Sequence, residues 1–363
     1  MGDGGSATLK MKILILTQKV DVNDPILGFF HRWIEEFSKH CERVTVICLQ
    51  GGEHNLPKNV KVLSLGKNNL ELSTLNFKLF QKFKYVLNFW KYIWQERHNY
   101  DSVFVHMNSE YVVLGGVLWK VWRKKIMLWN NHLVGNFATR LAVRIVDKSF
   151  YTSPFSFNAK MSGPKGRRMP VGIDTDTFKR DARVIRAGGS VLSLGRISPV
   201  KNLEVIVKAA ILMDEDGERF ILNIVGDSLI KDKDYFNKIQ KMASELEVKS
   251  EIFFNRAVSN HLTPQIYNQN EMFVNATNSG SLDKTIMEAL ACEMMVVVSN
   301  RSLEEFLPPE MIFEEGDPTN LKEKMSALLR KSHEEKEKLG RTLREKVVKG
   351  HSLGVLINKI LAE

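Results

Sequence analysis

Residues 272–298 read MFVNATNSGSLDKTIMEALACEMMVVV and decide the fold of the second half of the chain. An apolar run at 272–276 is followed by a small polar turn at 278–283, a helix-period segment at 284–292 and a second apolar run at 294–298. This order predicts a strand, a turn, a helix and another strand. Because the turn contains Gly and Ser ahead of a helix N-terminus, its backbone N–H groups favour an anion. We therefore expect an anionic ligand there.

A carboxylate lies one turn deeper on the same predicted helix. Glu288 follows Lys284 and Thr285 by four and three residues, so the three side chains share a helix face. A carboxylate at that place suits sugar hydroxyls better than it suits phosphate.

The same alternation of strands and helices runs through the rest of the chain. Repeated alternation predicts α/β architecture with doubly wound parallel sheets and helices on both faces. The predicted strands are 12–17, 44–49, 60–65, 102–106, 126–130, 150–153, 190–194, 220–225 and 251–254, and the predicted helices are 30–37, 76–97, 111–122, 137–147, 203–213, 235–246 and 263–268. After about residue 319 the chain is expected to be helical and highly charged.

Two stretches mark a domain boundary. Turn residues at 170–174 and a basic, weakly apolar stretch at 179–189 give an N-terminal Rossmann-like domain over 11–172 and a C-terminal one over 173–345. We expect 346–363 to form a C-terminal helix able to pack back on the first domain. Residues 1–10 are Gly-rich and are expected to form a disordered leader.

Composition narrows the class of protein. The 363 residues carry a net charge of +10 and are 44% hydrophobic, which favours a soluble two-domain enzyme with an anionic partner: nucleic acid, a membrane surface or a phosphorylated small molecule. We find no window apolar enough for a transmembrane helix and no signal peptide. The odd set Cys41, Cys48 and Cys292 lies in apolar segments, which indicates reduced core residues in cytosol.

Two glycine loops follow predicted strands of the second half. Gly195 ends a strand and precedes Arg196 and Lys201, which can fork onto and attract phosphate oxygens at the carboxyl edge of a sheet. Two solvated loop cations are the alternative. Gly226 and Asp227 repeat the arrangement at the next strand, where a plain tight turn is equally consistent.

Together these motifs resemble the retaining glycosyltransferases of GT-B architecture, family 4, over most of the chain and most strongly over 190–298. The resemblance implies two Rossmann-like domains facing a cleft and transfer of a sugar from a nucleotide diphosphate sugar, such as a UDP- or GDP-sugar, to an acceptor hydroxyl. It implies no metal and no cofactor, a cytoplasmic or peripheral membrane location, and a role in cell-surface polysaccharide or glycolipid synthesis.

The resemblance also implies roles for individual residues. Arg196 and Lys201 would hold the donor diphosphate with the amides of Lys284 and Thr285, Glu288 would hold the ribose, and Val258 would lie beside the base. The catalytic set is His132, Arg196, Lys201 and Glu288. The donor-binding set is Gly28, Gly195, Gly226, Asp227, Val258, Gly280, Ser281, Asp283, Lys284 and Thr285.

One position departs from the family pattern. The family has a second Glu eight positions before Glu288, and this chain has Gly280 there. Asp283 is our candidate for the lost sugar contact, because the helix dipole favours a carboxylate at that end. A helix N-cap without a ligand role is the alternative.

The first half carries weaker signals. Gly28 closes a loop after the first strand that could approach the donor diphosphate or be a simple turn. His106, Asn108 and His132 follow predicted strands, so we expect them to face the cleft. His106 and Asn108 are acceptor candidates, and His132 could bond the donor sugar or the acceptor; isolated loop histidines are the alternative.

Two further patterns concern partners. The aspartates of 174–176 have metal-ligand spacing but lie in the linker, so no metal is assigned. The helix at 76–97 has an apolar stripe with lysines, and 119–125 is aromatic and basic, which fits an anionic membrane surface and a lipid-linked acceptor. A core helix with snorkelling lysines is the alternative. A non-catalytic nucleotide-sugar-binding subunit and a nucleic-acid-binding protein remain competing functions.

Overall fold

The computed structural model describes residues 11–24, 26–67, 75–244, 250–280 and 282–363, and the side chains of 75–79 are not described. The predicted leader 1–10 and the donor candidate Ser281 lie outside these residues. Backbone contacts divide the chain into two compact units. Unit 1 takes its described residues from Met1–Tyr151, Ser156–Met169 and Ile357–Glu363, and unit 2 from Thr152–Phe155 and Pro170–Leu356.

Within the described residues, unit 1 contains a sheet of seven strands in the order β3, β2, β1, β4, β5, β6, β7. All of its neighbouring strands run parallel. The strands are β1 (Lys12–Val20), β2 (Arg43–Gly51), β3 (Val60–Ser64), β4 (Ser102–His106), β5 (Lys125–Trp129), β6 (Lys148–Tyr151) and β7 (Gly166–Arg168). The helices are α1 (Phe29–His40), α2 (Leu75–Gln95), α3 (Ser109–Val121), α4 (Phe137–Ile145) and α5 (Phe157–Met161).

Unit 2 contains, in its described part, five parallel strands in the order β10, β9, β8, β11, β12. These are β8 (Ala187–Leu194), β9 (Ile221–Val225), β10 (Glu251–Asn255), β11 (Asn270–Asn275) and β12 (Met295–Val298). The later helices are α6 (Leu203–Glu215), α7 (Lys233–Ala243), α8 (Thr263–Gln269), α9 (Lys284–Ala291), α10 (Pro318–Leu329), α11 (His333–His351) and α12 (Leu353–Ala362).

The predicted doubly wound α/β fold is confirmed, since each unit has a parallel sheet with helices between its strands. The central strand β4 and the edge strand β12 are both buried along their whole length, which explains their nearly continuous apolar sequence. Two elements were not predicted from the sequence. Strand β7 reads Gly-Arg-Arg without apolar alternation, and α5 is only five residues long.

Each sheet has one switch point, the place between two neighbouring strands where the strand order reverses. In unit 1 the order reverses between β1 and β4, and in unit 2 between β8 and β11. Connections leave such neighbouring strands toward opposite faces of the sheet, so a crevice opens outside their carboxyl ends. The loops after β8 and β11 are the two that carry Lys201 and Asp283.

Cys41, Cys48 and Cys292 are free and buried, as predicted. Burial raises the pKa of the Cys41 thiol to about 11 and that of Cys292 to about 12, so both stay protonated and unreactive. Among the helices whose residues are described, none is long and apolar enough to cross a membrane.

Helix α11 supplies a matched pair of glycines for a stability test. A Cβ added to Gly340 would lie 2.5 Å from the Glu293 carbonyl oxygen, whereas one added to Gly350 would meet no heavy atom within 4 Å. We expect Gly340→Ala to lower stability by about 1–3 kcal/mol through this overlap. Gly350→Ala should raise stability by up to about 1 kcal/mol, as Ala does in an open helix. Urea unfolding midpoints check both, and equal shifts would contradict this packing of α11.

Candidate functional site

An ion pair joins the two loops at the switch point of unit 2. The Lys201 Nζ lies 2.5 Å from the Asp283 Oδ2, although the residues are 82 positions apart. The same oxygen accepts hydrogen bonds from the Asn275 Nδ2 and the Thr277 Oγ1, each at 2.8 Å. Burial alone would raise the pKa of the Asp283 carboxyl, but the charge of Lys201 and these hydrogen bonds outweigh it and lower the pKa. Asp283 is therefore held as a carboxylate.

Asp283 stands at the N-cap position of α9, but its side chain makes no capping hydrogen bond. The carboxylate therefore does not cap the helix, which was the alternative role considered from the sequence. All three bonds converge on Oδ2, and no described residue donates to Oδ1. One carboxylate oxygen therefore has no hydrogen-bond partner among the described residues.

Asn202 makes a second link between the loops. Its backbone is left-handed, with φ at 47°, and its side-chain amide donates to the Ala276 carbonyl at 3.1 Å and to the Asn278 Oδ1 at 2.7 Å. This bridge fixes Lys201, its chain neighbour, beside the turn that precedes α9.

The two glycine loops are in direct contact. The Gly195 N–H donates to the Val225 carbonyl, and the Gly226 N–H donates to the Asn255 carbonyl. A Cβ on residue 226 would lie 1.9 Å from the Gly195 carbonyl oxygen, so only glycine fits there. Glycine at position 226 is therefore required for these two loops to pack together. We call the sheet edge that they form, which carries Arg196 and Lys201, the rim.

Arg196 and Asp227 are more exposed than Lys201. The Arg196 guanidinium is exposed and, in the described part of the chain, pairs with no carboxylate. Asp227 lies 3.4 Å from Arg256 in an exposed ion pair, which adds little stability. Arg196 is thus an exposed cation at the rim that no carboxylate among the described residues neutralises.

Glu288 is buried, at 3% exposure, and both of its oxygens accept hydrogen bonds. The Tyr267 hydroxyl donates to Oε2 at 3.0 Å, and the Asn260 amide donates to Oε1 at 3.3 Å. Burial raises the pKa of the Glu288 carboxyl, and the charge of Lys284 and the two hydrogen bonds only partly oppose this.

The first turn of α9 carries two further candidates. The Lys284 Nζ donates to the Gly172 carbonyl at 3.1 Å, and burial lowers its pKa to about 8 although Glu288 and Asp174 favour its charge. The Thr285 hydroxyl is buried without a hydrogen-bond partner among the described residues. An anion at this helix N-terminus would satisfy both residues.

Gly280, the position of the missing Glu, has φ at 142°. L-residues rarely adopt this backbone conformation, so the turn itself excludes a glutamate at 280. Glycine at position 280 therefore suits the backbone conformation of this turn.

Val258 lines a cavity of about 450 Å³ on one face of the sheet in unit 2. Val225 and Asn255, the last residues of β9 and β10, line the end of this cavity nearest the glycine loops. Its volume is in the range of small-molecule sites, and its lining mixes apolar side chains with side-chain amides.

The candidates of unit 1 differ in accessibility. His106 was expected to face a ligand, but its ring is buried at 5% exposure and stacks on Phe30 with centroids 4.2 Å apart, because α1 covers the end of β4. Asn108 is half-buried beside Met107, whose φ of 66° marks a strained turn. His132 is exposed, and its backbone N–H is held by the buried Asn130 Oδ1 at 2.9 Å.

The Gly28 loop is satisfied internally. The Gly28 N–H donates to the Asp24 carbonyl, and the Asp24 carboxylate accepts the N–H groups of Ile26 and Leu27 and pairs with Lys19. These amides are therefore occupied within the loop, as in the simple turn that the sequence left as the alternative.

Sequence reasoning missed the residues that hold the charged groups in place: Asn275, Thr277, Asn202, Tyr267, Asn260 and Asn130. Asn275 and Asn130 do carry a signal, since each places a buried amide at the carboxyl end of an apolar strand. Tyr267 carries none, because its ring fits an ordinary core position. Across the described ranges, no three His, Cys, Asp or Glu side chains gather as metal ligands.

The fold is that of the GT-B glycosyltransferase structures. The structure of HepE from Anabaena in complex with UDP and glucose matches with a TM-score of 0.73 and 18% identity over 97% of this chain and 98% of that chain. Sucrose-phosphate synthase from Thermosynechococcus elongatus matches with a TM-score of 0.76 and 14% identity over 97% and 98%.

Sequence comparison gives a family match. Residues 176–346, just under half of the chain, match the family described as Glycosyl transferases group 1. A relative, the alpha-monoglucosyldiacylglycerol synthase of Streptococcus pneumoniae, is 27% identical over 146 residues, which are 36% of this chain. The match spans only 32% of that relative's length.

Glu288 should weaken the fold in the absence of a ligand. Since its pKa is raised in the folded chain, the wild-type protein loses stability as the pH rises from the ordinary carboxyl value of 4.5 through the raised one. Glu288→Gln does not titrate and keeps an acceptor for Tyr267, so we expect it to gain on the order of 1 kcal/mol at neutral pH and little at about pH 4. Tyr267→Phe should instead lose about 1–3 kcal/mol. Urea unfolding at both pH values measures this; a destabilised Glu288→Gln at neutral pH would show that the charge supports the fold.

Proposed function

We propose that this chain is a retaining glycosyltransferase of family 4 that moves a sugar from a nucleotide diphosphate sugar to an acceptor hydroxyl without a metal ion. The observation that carries the proposal is the rim of unit 2, where Lys201 and Arg196 stand beside a carboxylate with one open oxygen. Such a rim offers cations for a diphosphate and a carboxylate for sugar hydroxyls at neighbouring positions.

The diphosphate is proposed to lie between the Gly195 loop and the first turn of α9. Arg196 supplies a forked donor, Lys201 a mobile charge, and Thr285 an unsatisfied hydroxyl. In this arrangement the donor competes with Asp283 for Lys201. Glu288 is our candidate for the ribose hydroxyls, and the end of the cavity at Val258 for the base.

Catalysis would follow from where negative charge develops. When the bond between the sugar carbon and the diphosphate oxygen breaks, Arg196 and Lys201 stabilise the charge that appears on the leaving phosphate. The acceptor hydroxyl attacks from the same face of the sugar, and its proton passes to the departing diphosphate. Two cations would do here what a divalent metal does elsewhere, which is why we propose independence from metals and other cofactors.

Asp283 is proposed to replace the sugar contact that the family assigns to a glutamate at 280. Its Oδ2 is saturated by three donors, whereas its Oδ1 is open, and its lowered pKa keeps it an acceptor at any physiological pH. In unit 1, exposed His132 is our candidate for a hydroxyl of the sugar or acceptor.

The acceptor class is proposed from the relatives. The structural neighbour binds UDP and glucose, and the Streptococcus relative is named for a glucosylated diacylglycerol. We propose a UDP-sugar or GDP-sugar donor and a sugar or lipid-linked acceptor, in polysaccharide or glycolipid synthesis. The buried free cysteines support a reducing, cytoplasmic location.

Turnover of nucleotide sugars tests the reaction. With UDP-glucose, UDP-galactose and GDP-mannose presented in EDTA, we expect nucleotide release from at least one donor and an α-configured product by NMR. Lys201→Met should lower kcat/KM by about 100-fold or more, because it removes a charge that acts on the leaving group. Lys208→Met, an exposed lysine on α6, is the matched control and should leave kcat/KM unchanged. Tight donor binding with no turnover would instead assign the chain to non-catalytic nucleotide-sugar binding.

A second comparison isolates the role of Asp283. Asp283→Asn should weaken UDP-glucose binding about 10-fold more than UDP binding, since only the sugar donor uses Oδ1. Calorimetry measures both dissociation constants, with Asp216→Asn, which breaks a surface pair with Lys322, as control. Equal weakening of both ligands would mean that Asp283 acts on the diphosphate through Lys201 alone.

A further inference from the structure

Helix α2 of unit 1 presents apolar side chains on two opposite faces. Phe89 and Ile93 are fully buried in the core, and Tyr85 and Tyr92 pack against it. These residues account for the core contact of the helix. The apolar residues on its other side have no such contact.

That other side forms a continuous stripe, which we call the aromatic ridge: Phe80, Phe83, Leu87, Trp90 and Trp94. The spacing of three and four residues aligns the five side chains along one line of the helix. Each is between 42% and 63% exposed. The sequence-based alternative of a simple core helix therefore holds for one face only.

The ridge continues onto α3 and is fixed by it. The Trp90 Nε1 donates to the Leu114 carbonyl at 3.0 Å, and the Trp94 and Trp122 rings lie 5.7 Å apart. On α3, Val117 and Val121 are 70% and 71% exposed. Both indoles are therefore fixed in an exposed apolar surface.

The charged side chains of α2 itself are all positive. Helix α2 contains no Asp or Glu, and Lys84 and Lys91, seven residues apart, lie along one side of the ridge. In the parts of the chain that are described, no carboxylate pairs with Lys82, Lys84 or Lys91. Arg97 lies over the Trp94 ring, 4.6 Å from its centroid, at the end of the helix.

We propose that the aromatic ridge docks unit 1 onto an anionic lipid bilayer, with its aromatic side chains at the level of the headgroups and its lysines on lipid phosphates. Trp and Tyr are enriched at this depth, and lysines near an anionic surface each add attraction. A second copy of the chain is a poorer occupant, because packing ridge on ridge brings the same lysines of both copies together. The purpose of docking, access to a lipid-linked acceptor, rests on the proposed function.

Vesicle co-sedimentation without donor or acceptor tests the docking itself, so it is independent of turnover. We expect the protein to bind phosphatidylglycerol/phosphatidylcholine vesicles more tightly than phosphatidylcholine alone. Phe80→Ser/Phe83→Ser/Leu87→Ser should weaken binding about 100-fold, because three exposed apolar groups no longer leave water. Lys84→Glu/Lys91→Glu should remove the preference for anionic vesicles, at about fivefold or more per lysine. Ile185→Ser/Ile230→Ser, at apolar residues of unit 2 that are even more exposed, is the control and should bind as wild type.

Two measurements complete the design. Thermal unfolding checks that the variants stay folded, which their exposure leads us to expect. Sedimentation velocity detects self-association, and a dimer that the triple serine variant abolishes would assign the ridge to a second copy and overturn the proposal. Failure of the wild-type protein to bind anionic vesicles would also overturn the proposal. So would a folded triple serine variant whose binding to these vesicles equals that of the wild type.

Discussion

The ion pair between Lys201 and Asp283 is the constraint on which the candidate site depends. It links the loops that follow β8 and β11, the neighbouring strands between which the strand order reverses. A half-buried pair gains little over its desolvation cost unless its remaining hydrogen-bonding groups are satisfied. Asn275 and Thr277 meet that condition at one oxygen only. The arrangement therefore both fixes the loops and leaves a carboxylate oxygen available.

Gly226 and Gly280 determine where this pair can stand. The Gly195 carbonyl occupies the space of a Cβ on residue 226, so the two glycine loops pack as one rim below Lys201. At Gly280 the backbone turns through a conformation that excludes the family's glutamate. The carboxylate that this loop does carry is Asp283, three residues further along the chain, where α9 begins.

Much of the fold could be predicted because its strands and helices are long, periodic and apolar. Strand β7 could not, since Gly-Arg-Arg joins the sheet through its backbone, and backbone pairing leaves no side-chain signature. For the site, the charged residues were recognisable one by one as types that bind anions or sugars. The pairing of Lys201 with Asp283 spans 82 residues, and the burial of His106 depends on where α1 packs. Both are products of tertiary structure, which local pattern does not encode.

The three ionisable residues around α9 differ in which form, charged or neutral, is favoured, because their hydrogen bonds and neighbouring charges offset burial to different extents. Asp283 has enough donors to remain charged, whereas burial shifts both Lys284 and Glu288 toward their neutral forms. In the free protein Lys284 and Glu288 compensate each other only in part. A diphosphate near Lys284 would favour its ammonium, and that ammonium would in turn favour the Glu288 carboxylate, the form that accepts hydroxyl hydrogen bonds. Binding of the anion and recognition of a sugar hydroxyl would then be coupled through Lys284, one helical turn from Glu288.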